Sequence, residues 1–183
     1  MQINSRLDQV RTDRLVLRRL SMDDLDSAIR IHGDPAVNLH NPGGVRTPEA
    51  TRALIEDWTD FWDRHGFGYW TVRLAAQPEQ VLGFGGIMRK QIASFSGLNL
   101  YFRFAAHTWG KGYATEMARA ALHAAFVVLT EEAVFGLTRP ANIPSRRTLE
   151  KIGMRLFSEV DDVSGEAASP IYRITRDDYL QRI

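Results

Sequence analysis

A mixed α/β (α+β) domain, with a mostly antiparallel sheet of about seven strands flanked by about four helices, is the fold class this sequence predicts. Three observations predict it. Segments with strand periodicity outnumber helical ones along the chain. Residues 68–75 and 80–89, joined through QPEQ, read as an antiparallel hairpin. The stretch LNLYFRF alternates Leu98, Leu100, Phe102 and Phe104 with Asn99, Tyr101 and Arg103, the pattern of a strand with two unlike faces in an antiparallel setting.

Residues 14–20 (RLVLRRL) alternate apolar and polar positions and open the sheet as a strand with one wet face. Ser21, with Asp24 three residues on and Gly33 at the far end, brackets a capped helix of about three turns. Thr47 followed by Pro48 and Glu49 starts the next helix, because proline's fixed φ and missing N–H are tolerated at the first helical position. Leu54, Ile55, Trp58, Phe61 and Trp62 form its apolar face. The hairpin and the strand 97–104 follow, then a long helix from Gly110, a strand over 133–138 and a helix over 143–152. Strands near 154–160 and 170–175 flank the loop DDVSGEAAS.

The chain has 183 residues, 44% of them hydrophobic and 10% aromatic, enough for one core. With no repeat, Pro/Gly-rich linker or long loop to divide it, a single domain over 1–183 is expected. Lys plus Arg number 23 against 22 Asp plus Glu, and a net charge of +1 gives no electrostatic footprint for nucleic acid or an anionic membrane. A near-neutral surface is compatible with a monomer or a homodimer. The absence of cysteine excludes disulfides, thiolate metal ligands and a cysteine nucleophile. The opening MQINSRLDQVRTDR carries acidic residues and no apolar stretch of the signal-peptide kind, so a cytoplasmic location is expected. The longest apolar run, AALHAAFVVL, is too short to span a bilayer. His32, His65, His107 and His123 are unclustered, and no metal is expected.

Chemistry concentrates in TWGKGYATEMARAALHAAF, residues 108–126, where Gly110 and Gly112 stand at the mouth of a helix. A helix N-terminus offers unpaired N–H groups and a positive dipole end, and glycine allows the positive φ that turns successive amides toward one anion. A tight turn with glycine for geometry alone explains a lone G-x-G equally well. The P-loop pattern fails because Gly112 follows Lys111. The dinucleotide fingerprint needs a third glycine where Thr115 stands and a buried parallel strand before the turn. Glu131 and Glu132 lie about 20 residues downstream, where a ribose-binding acid would, but beyond the helix. A nicotinamide enzyme stays as a minor alternative.

The segment W-G-K-G-Y-A-T-E, Trp109 to Glu116, resembles the pyrophosphate loop of the GNAT superfamily of acetyl-CoA-dependent N-acetyltransferases, with the RimJ/RimL branch the nearest match. A second motif, N-I-P-S-R-R-T-L-E-K-I-G-M from Asn142 to Met154, also resembles that family, as do TDRLVLRRLSMDDL and PIYRITRDDYL toward the two ends. The resemblance implies a GNAT fold, its sheet splayed between the fourth and fifth strands, here 97–104 and 133–138, with acetyl-CoA in the V. It implies that the backbone of Phe102, Arg103 and Phe104 pairs with the pantetheine arm like an added strand, and that amides from Gly110 through Lys111, Gly112, Tyr113 and Ala114 to Thr115 hold the pyrophosphate. Trp109 replaces the family's usual Gln or Arg, which leaves the phosphates to the backbone. Lys111 adds charge there or is simply solvated.

Many members of the superfamily use a glutamate on the fourth strand as base. Asn99 stands at that place here; it cannot be a base but can hold a water or orient the substrate. Tyr101, His40 and Asp34 are weaker alternatives. The tyrosine often used as acid is replaced by Leu149, and in the RimJ/RimL branch the role of partner to the CoA sulfur carries over to Ser145. Asn142 suits a helix cap and a cofactor contact alike, and Ser145 is equally a first-turn residue. Glu116 reads as a complement to the helix dipole, Asp161 and Asp162 as a solvated loop, and Trp58, Phe61, Trp62, Tyr69 and Trp70 as mostly core, with some available to wall an acceptor pocket. The leading expectation is acetyl transfer from acetyl-CoA to a primary amine, a protein N-terminus or a small molecule. The second is a non-catalytic acyl-CoA sensor, since Asn99 and Leu149 replace familiar acid–base groups.

Overall fold

The computed structural model describes residues 7–92 and 95–182. The first six residues, part of the stretch read as lacking a signal peptide, lie outside them. Eight strands form one sheet: β1 (Gln9–Arg11), β2 (Leu15–Arg19), β3 (Tyr69–Leu74), β4 (Gln77–Ile92), β5 (Phe95–Phe104), β6 (Ala133–Leu137), β7 (Arg155–Val160) and β8 (Ser169–Thr175), in the order β1-β2-β3-β4-β5-β6-β8-β7. Every pairing is antiparallel except β5 with β6. The helices are α1 (Leu25–His32), α2 (Pro48–His65), α3 (Tyr113–His123), α4 (Ile143–Lys151) and α5 (Arg176–Leu180). The strand β1 and the helix α5 exceed the expected count. Both are short, and α5 stands on a Thr175–Asp178 capping box that terminates β8.

The helix starts follow from side chains that satisfy free amides. Thr47 Oγ1 accepts from the Ala50 amide at 3.2 Å with Pro48 in the first turn, and α2 ends on Gly66 at φ 71°. Ser21 opens a short 3-10 turn, Met22–Asp24, before α1 begins at Leu25, so the expected helix is split in two. Asp24 does more than cap. Fully buried, it accepts from the Ser21 amide, from Thr71 Oγ1 at 2.7 Å and from Arg18 and Arg73, fastening the turn to β2 and β3.

The alternation in β5 is realised as two faces. Gly85 pairs with Phe102, and a Cβ on Gly85 would lie 2.5 Å from Met117 Cε, so the row Leu98, Leu100, Phe102, Phe104 faces α3, which packs on β2, β4 and β5. The opposite row carries Asn99, Tyr101 and Arg103 toward α2 and the segment after α1. Trp58, Phe61, Trp62, Tyr69 and Trp70 are all core, as expected, and Trp62 donates to the Tyr69 carbonyl at 2.7 Å.

β5 and β6 pair through only two register positions, Leu98 with Val134 and Asn99 with Phe135. Beyond Asn99 the strands part, and the C-terminal half of β5 keeps hydrogen-bonded neighbours on the β4 side alone. This is the splayed sheet that the two motifs implied.

Candidate active site

Gly110 and Gly112 adopt φ of 75° and 80°, in the left-handed region. Space does not demand glycine at either position: a Cβ on Gly110 would meet nothing within 4 Å, and one on Gly112 only Arg14 Nη2 at 3.5 Å. The backbone conformation demands it. Among the described residues, the amides of Gly110, Lys111, Gly112, Tyr113, Ala114 and Thr115 donate to no carbonyl or side chain, and the first closing bond of the turn is Glu116 N–H to the Gly112 carbonyl at 3.1 Å. The amides of Tyr113 to Thr115 are those any uncapped helix leaves open, and with Gly110 to Gly112 they make a nest of six free donors at the positive end of an eleven-residue helix.

The nest is held in place from the turn between β1 and β2. Glu116 accepts from Thr12 Oγ1 at 2.6 Å, the Arg14 amide at 2.8 Å and Arg14 Nε at 2.7 Å, while Arg14 Nη1 donates to the Lys111 carbonyl at 2.8 Å. The Arg14 guanidinium also lies 4.8 Å from the centre of the Tyr113 ring. Burial works against the Glu116 charge, but these hydrogen bonds and the Arg14 cation outweigh it and hold its pKa below the ordinary carboxylate range. Sequence reasoning took Glu116 for a dipole complement and Arg14 for the start of a strand. Nothing in the spacing of residues about a hundred positions apart announces their contact.

Beside the C-terminal end of β5 and facing the first turn of α4 lies a cavity of about 650 Å³. Of the residues expected to hold the cofactor, Phe102, Arg103, Phe104, Trp109, Gly110, Gly112, Tyr113, Ala114, Thr115, Asn142 and Ser145 line it. Lys111 does not, its carbonyl being turned to Arg14. Trp109 donates from Nε1 to the Phe104 carbonyl at 2.9 Å, joining the end of β5 to the nest. Asn142 is the N-cap of α4, its Oδ1 accepting from the Ser145 amide at 3.2 Å while it lines the cavity, so cap and wall are one residue. The Ser145 hydroxyl bonds to nothing among the described residues. Leu149 is buried core, so no acid acts from its position.

Asn99 sits at the split itself, paired across it with Phe135. Its Nδ2 donates to the Tyr69 hydroxyl at 3.3 Å, and it is not among the cavity-lining residues. Of the weaker candidates, His40 lines the cavity, whereas Asp34 spends Oδ1 on the Ala36 amide. Tyr101 packs edge-on to Trp58 at 5.4 Å between ring centres and against Tyr69 at 4.9 Å. Burial pushes both phenols above their ordinary range; at Tyr101 the Arg103 charge pulls the other way. Both are therefore protonated at neutral pH. His32 is buried with both ring nitrogens unpaired, and burial, then Arg103 and Arg46, lower its pKa to about 3, so it is neutral too.

One residue of each neighbouring acidic pair, Glu131–Glu132 and Asp161–Asp162, has a structural partner. Glu131 is paired with Arg89 on β4, which occupies the acid a nicotinamide ribose would need. Asp162 is not merely solvated: with Glu166 it binds Arg139, which also donates to Ser169 Oγ at 2.7 Å and closes the β7–β8 loop. Among the described residues no group of His, Asp and Glu could hold a metal ion, and no helix is long and apolar enough to cross a membrane.

Residues 14–155 match the family described as the acetyltransferase (GNAT) domain. The chain is 33% identical over 149 residues to the uncharacterized protein YkkB of Bacillus subtilis, across 78% of this chain and 83% of YkkB. A GNAT-family acetyltransferase from Bacillus anthracis superposes with a TM-score of 0.77 at 24% identity, over 92% of this chain and 99% of the other. RimJ of Mycobacterium smegmatis, solved in complex with CoA-disulfide, superposes with a TM-score of 0.71 at 19% identity, over 90% and 83%. At those identities the two structures establish the fold.

Proposed function

We propose, for a chain that belongs to the GNAT acetyltransferase family and is an acyltransferase, that it moves an acetyl group from acetyl-CoA to a primary amine. The observation that carries this reading is the run of unbonded amides from Gly110 to Thr115, set against a cavity lined by the C-terminal end of β5 and the first turn of α4. A pyrophosphate fits six free donors on two left-handed glycines; a neutral ligand would leave most of them unsatisfied. The resemblance to CoA-bound RimJ points the same way.

The thioester supplies an activated acetyl group; a C–N bond forms as the C–S bond breaks, and the amine's proton is lost as the sulfur gains one. Around that exchange, Gly110 to Thr115 anchor the phosphates and the open edge of Phe102 to Phe104 aligns the pantetheine arm. Ser145, whose hydroxyl is free and which lines the cavity at the first turn of α4, donates to the departing sulfur, with the positive end of that helix in support. Asn99, which holds the buried Tyr69 hydroxyl and does not line the cavity, transfers no proton. The buried Tyr69, Tyr101 and His32 offer no base at neutral pH, so the amine passes its proton to water, with the His40 side chain on the cavity wall to receive it. Incubation of the protein and acetyl-CoA with a panel of primary amines, read as CoA thiol release and acetylated product by mass spectrometry, tests the proposal. Product with at least one amine is expected; neither thiol nor product with any, while acetyl-CoA binds, would leave a binding module.

A further inference from the structure

The cavity has an unusual charge balance. Among the residues lining the cavity none is Asp or Glu, whereas Arg103, Arg147 and Lys151 are cationic. Arg147 and Lys151 stand on α4, beside the phosphate nest. Arg103 is different, because it projects from β5 on the row that faces away from α3. There Nη1 donates to Asn38 Oδ1 at 2.5 Å, and the guanidinium is half-buried with no carboxylate partner among the described residues.

Asn38 is itself fixed. It is 5% exposed, its Nδ2 donates to the His32 and Asp34 carbonyls, both at 2.8 Å, and its Oδ1 also accepts from Asn41. The segment between α1 and α2 therefore holds Arg103 in one place. Arg46, whose amide donates to the His32 carbonyl at 3.2 Å, brings a second cation to the same side, and Lys90 lies 5.6 Å from the Tyr69 ring centre. The segment's own acid, Asp34, is turned to Ala36. A guanidinium drawn partly out of water without a counter-ion is costly until an anion meets it, and its planar donors match carboxylate and phosphate alike.

From this arrangement, and resting on the acetyl-transfer reading above, we infer that the acceptor is a small amine carrying an oxyanion, a carboxylate or a phosphoryl group, which Arg103 binds while the amine reaches the sheet split. Polyamines are rejected by the same cations.

The test compares four amines of similar length at saturating acetyl-CoA: γ-aminobutyrate, aminopropylphosphonate, butylamine and putrescine. The first two distinguish carboxylate from phosphoryl. The expected result is kcat/KM on the order of tenfold higher for the better anionic amine than for butylamine, with putrescine lowest, and loss of that preference in Arg103→Gln. Putrescine or butylamine equal to or better than both anionic amines would overturn the inference and leave the transferase reading standing. So would an Arg103→Gln variant that keeps the preference, or one that weakens acetyl-CoA binding by melting shift without altering amine selection. If no amine releases CoA, the transferase reading fails by itself. Calorimetric titration of the same amines into the CoA-saturated protein then decides: tighter binding of an anionic amine to wild type than to Arg103→Gln supports the site, and equal binding overturns it.

Discussion

Glu116→Gln separates the charge of the clamp between the β1–β2 turn and α3 from its shape. Glutamine fills the same space and still accepts from Thr12 and the Arg14 amide, so only the pairing of the carboxylate with the Arg14 guanidinium is weakened. A hydrogen bond to a charged group contributes roughly 1.5–3 kcal/mol, against about 1 kcal/mol for a neutral one. Arg14 is 49% exposed, and solvent screening favours the low end, giving a net loss of about 1 kcal/mol. For a domain of this size that is a fall in Tm of about 2–4 °C. The pH dependence follows from the lowered Glu116 pKa. A carboxylate with a depressed folded-state pKa contributes stability that is full above its unfolded value and lost as pH falls through the folded one. Urea unfolding at neutral pH and below the ordinary carboxylate range should therefore show a gap between wild type and variant that narrows in acid. Equal stability at neutral pH, or a gap that widens in acid, would refute the assignment of Glu116 as a charged clamp.

Gly110→Ala and Gly112→Ala meet no clash, so each should cost about 1 kcal/mol of backbone strain and weaken acetyl-CoA binding as the nest amides turn away; calorimetry of cofactor binding checks this. Ser145→Ala should lower kcat about tenfold or more with the acetyl-CoA Kd little changed, since the hydroxyl bonds to nothing in the protein; steady-state kinetics with a direct Kd decides. For His32→Phe the sign is the reverse of a salt-bridged histidine. Its folded pKa of about 3 lies below the unfolded 6.5, so the unfolded chain binds the extra proton and wild-type stability falls as pH drops from 6.5 toward 3. The phenylalanine variant should be as stable at neutral pH and flatter across that window, by urea unfolding.

Much of the fold was legible because its signals are local. The alternation of LNLYFRF gave the two faces of β5, Thr47-Pro48 gave the start of α2, and the glycines at 110 and 112 gave a positive-φ entry to α3. The boundary after Ser21 shifted because Asp24 is recruited by Arg18, Arg73 and Thr71, partners supplied only when β2 and β3 lie side by side. The strand β1, three residues long, carries too little periodicity to be read. In the site, the nest was legible as a motif. The clamp of Arg14 on Glu116 and the perch of Arg103 on Asn38 were not, since each joins segments distant in sequence through side chains that alone look solvated.

The central claim is that the amides from Gly110 to Thr115 hold the phosphates of CoA. Thermal unfolding of the protein alone, with acetyl-CoA, with CoA and with NADH measures this without any choice of acceptor. Ligand at about 100 times its Kd adds roughly 2.7 kcal/mol, a rise of about 5–10 °C for a domain of this size. The account predicts that rise with acetyl-CoA and with CoA, reduced in Gly112→Ala, and none with NADH. An unmoved melting curve with either CoA ligand, or an equal rise with NADH, would contradict it.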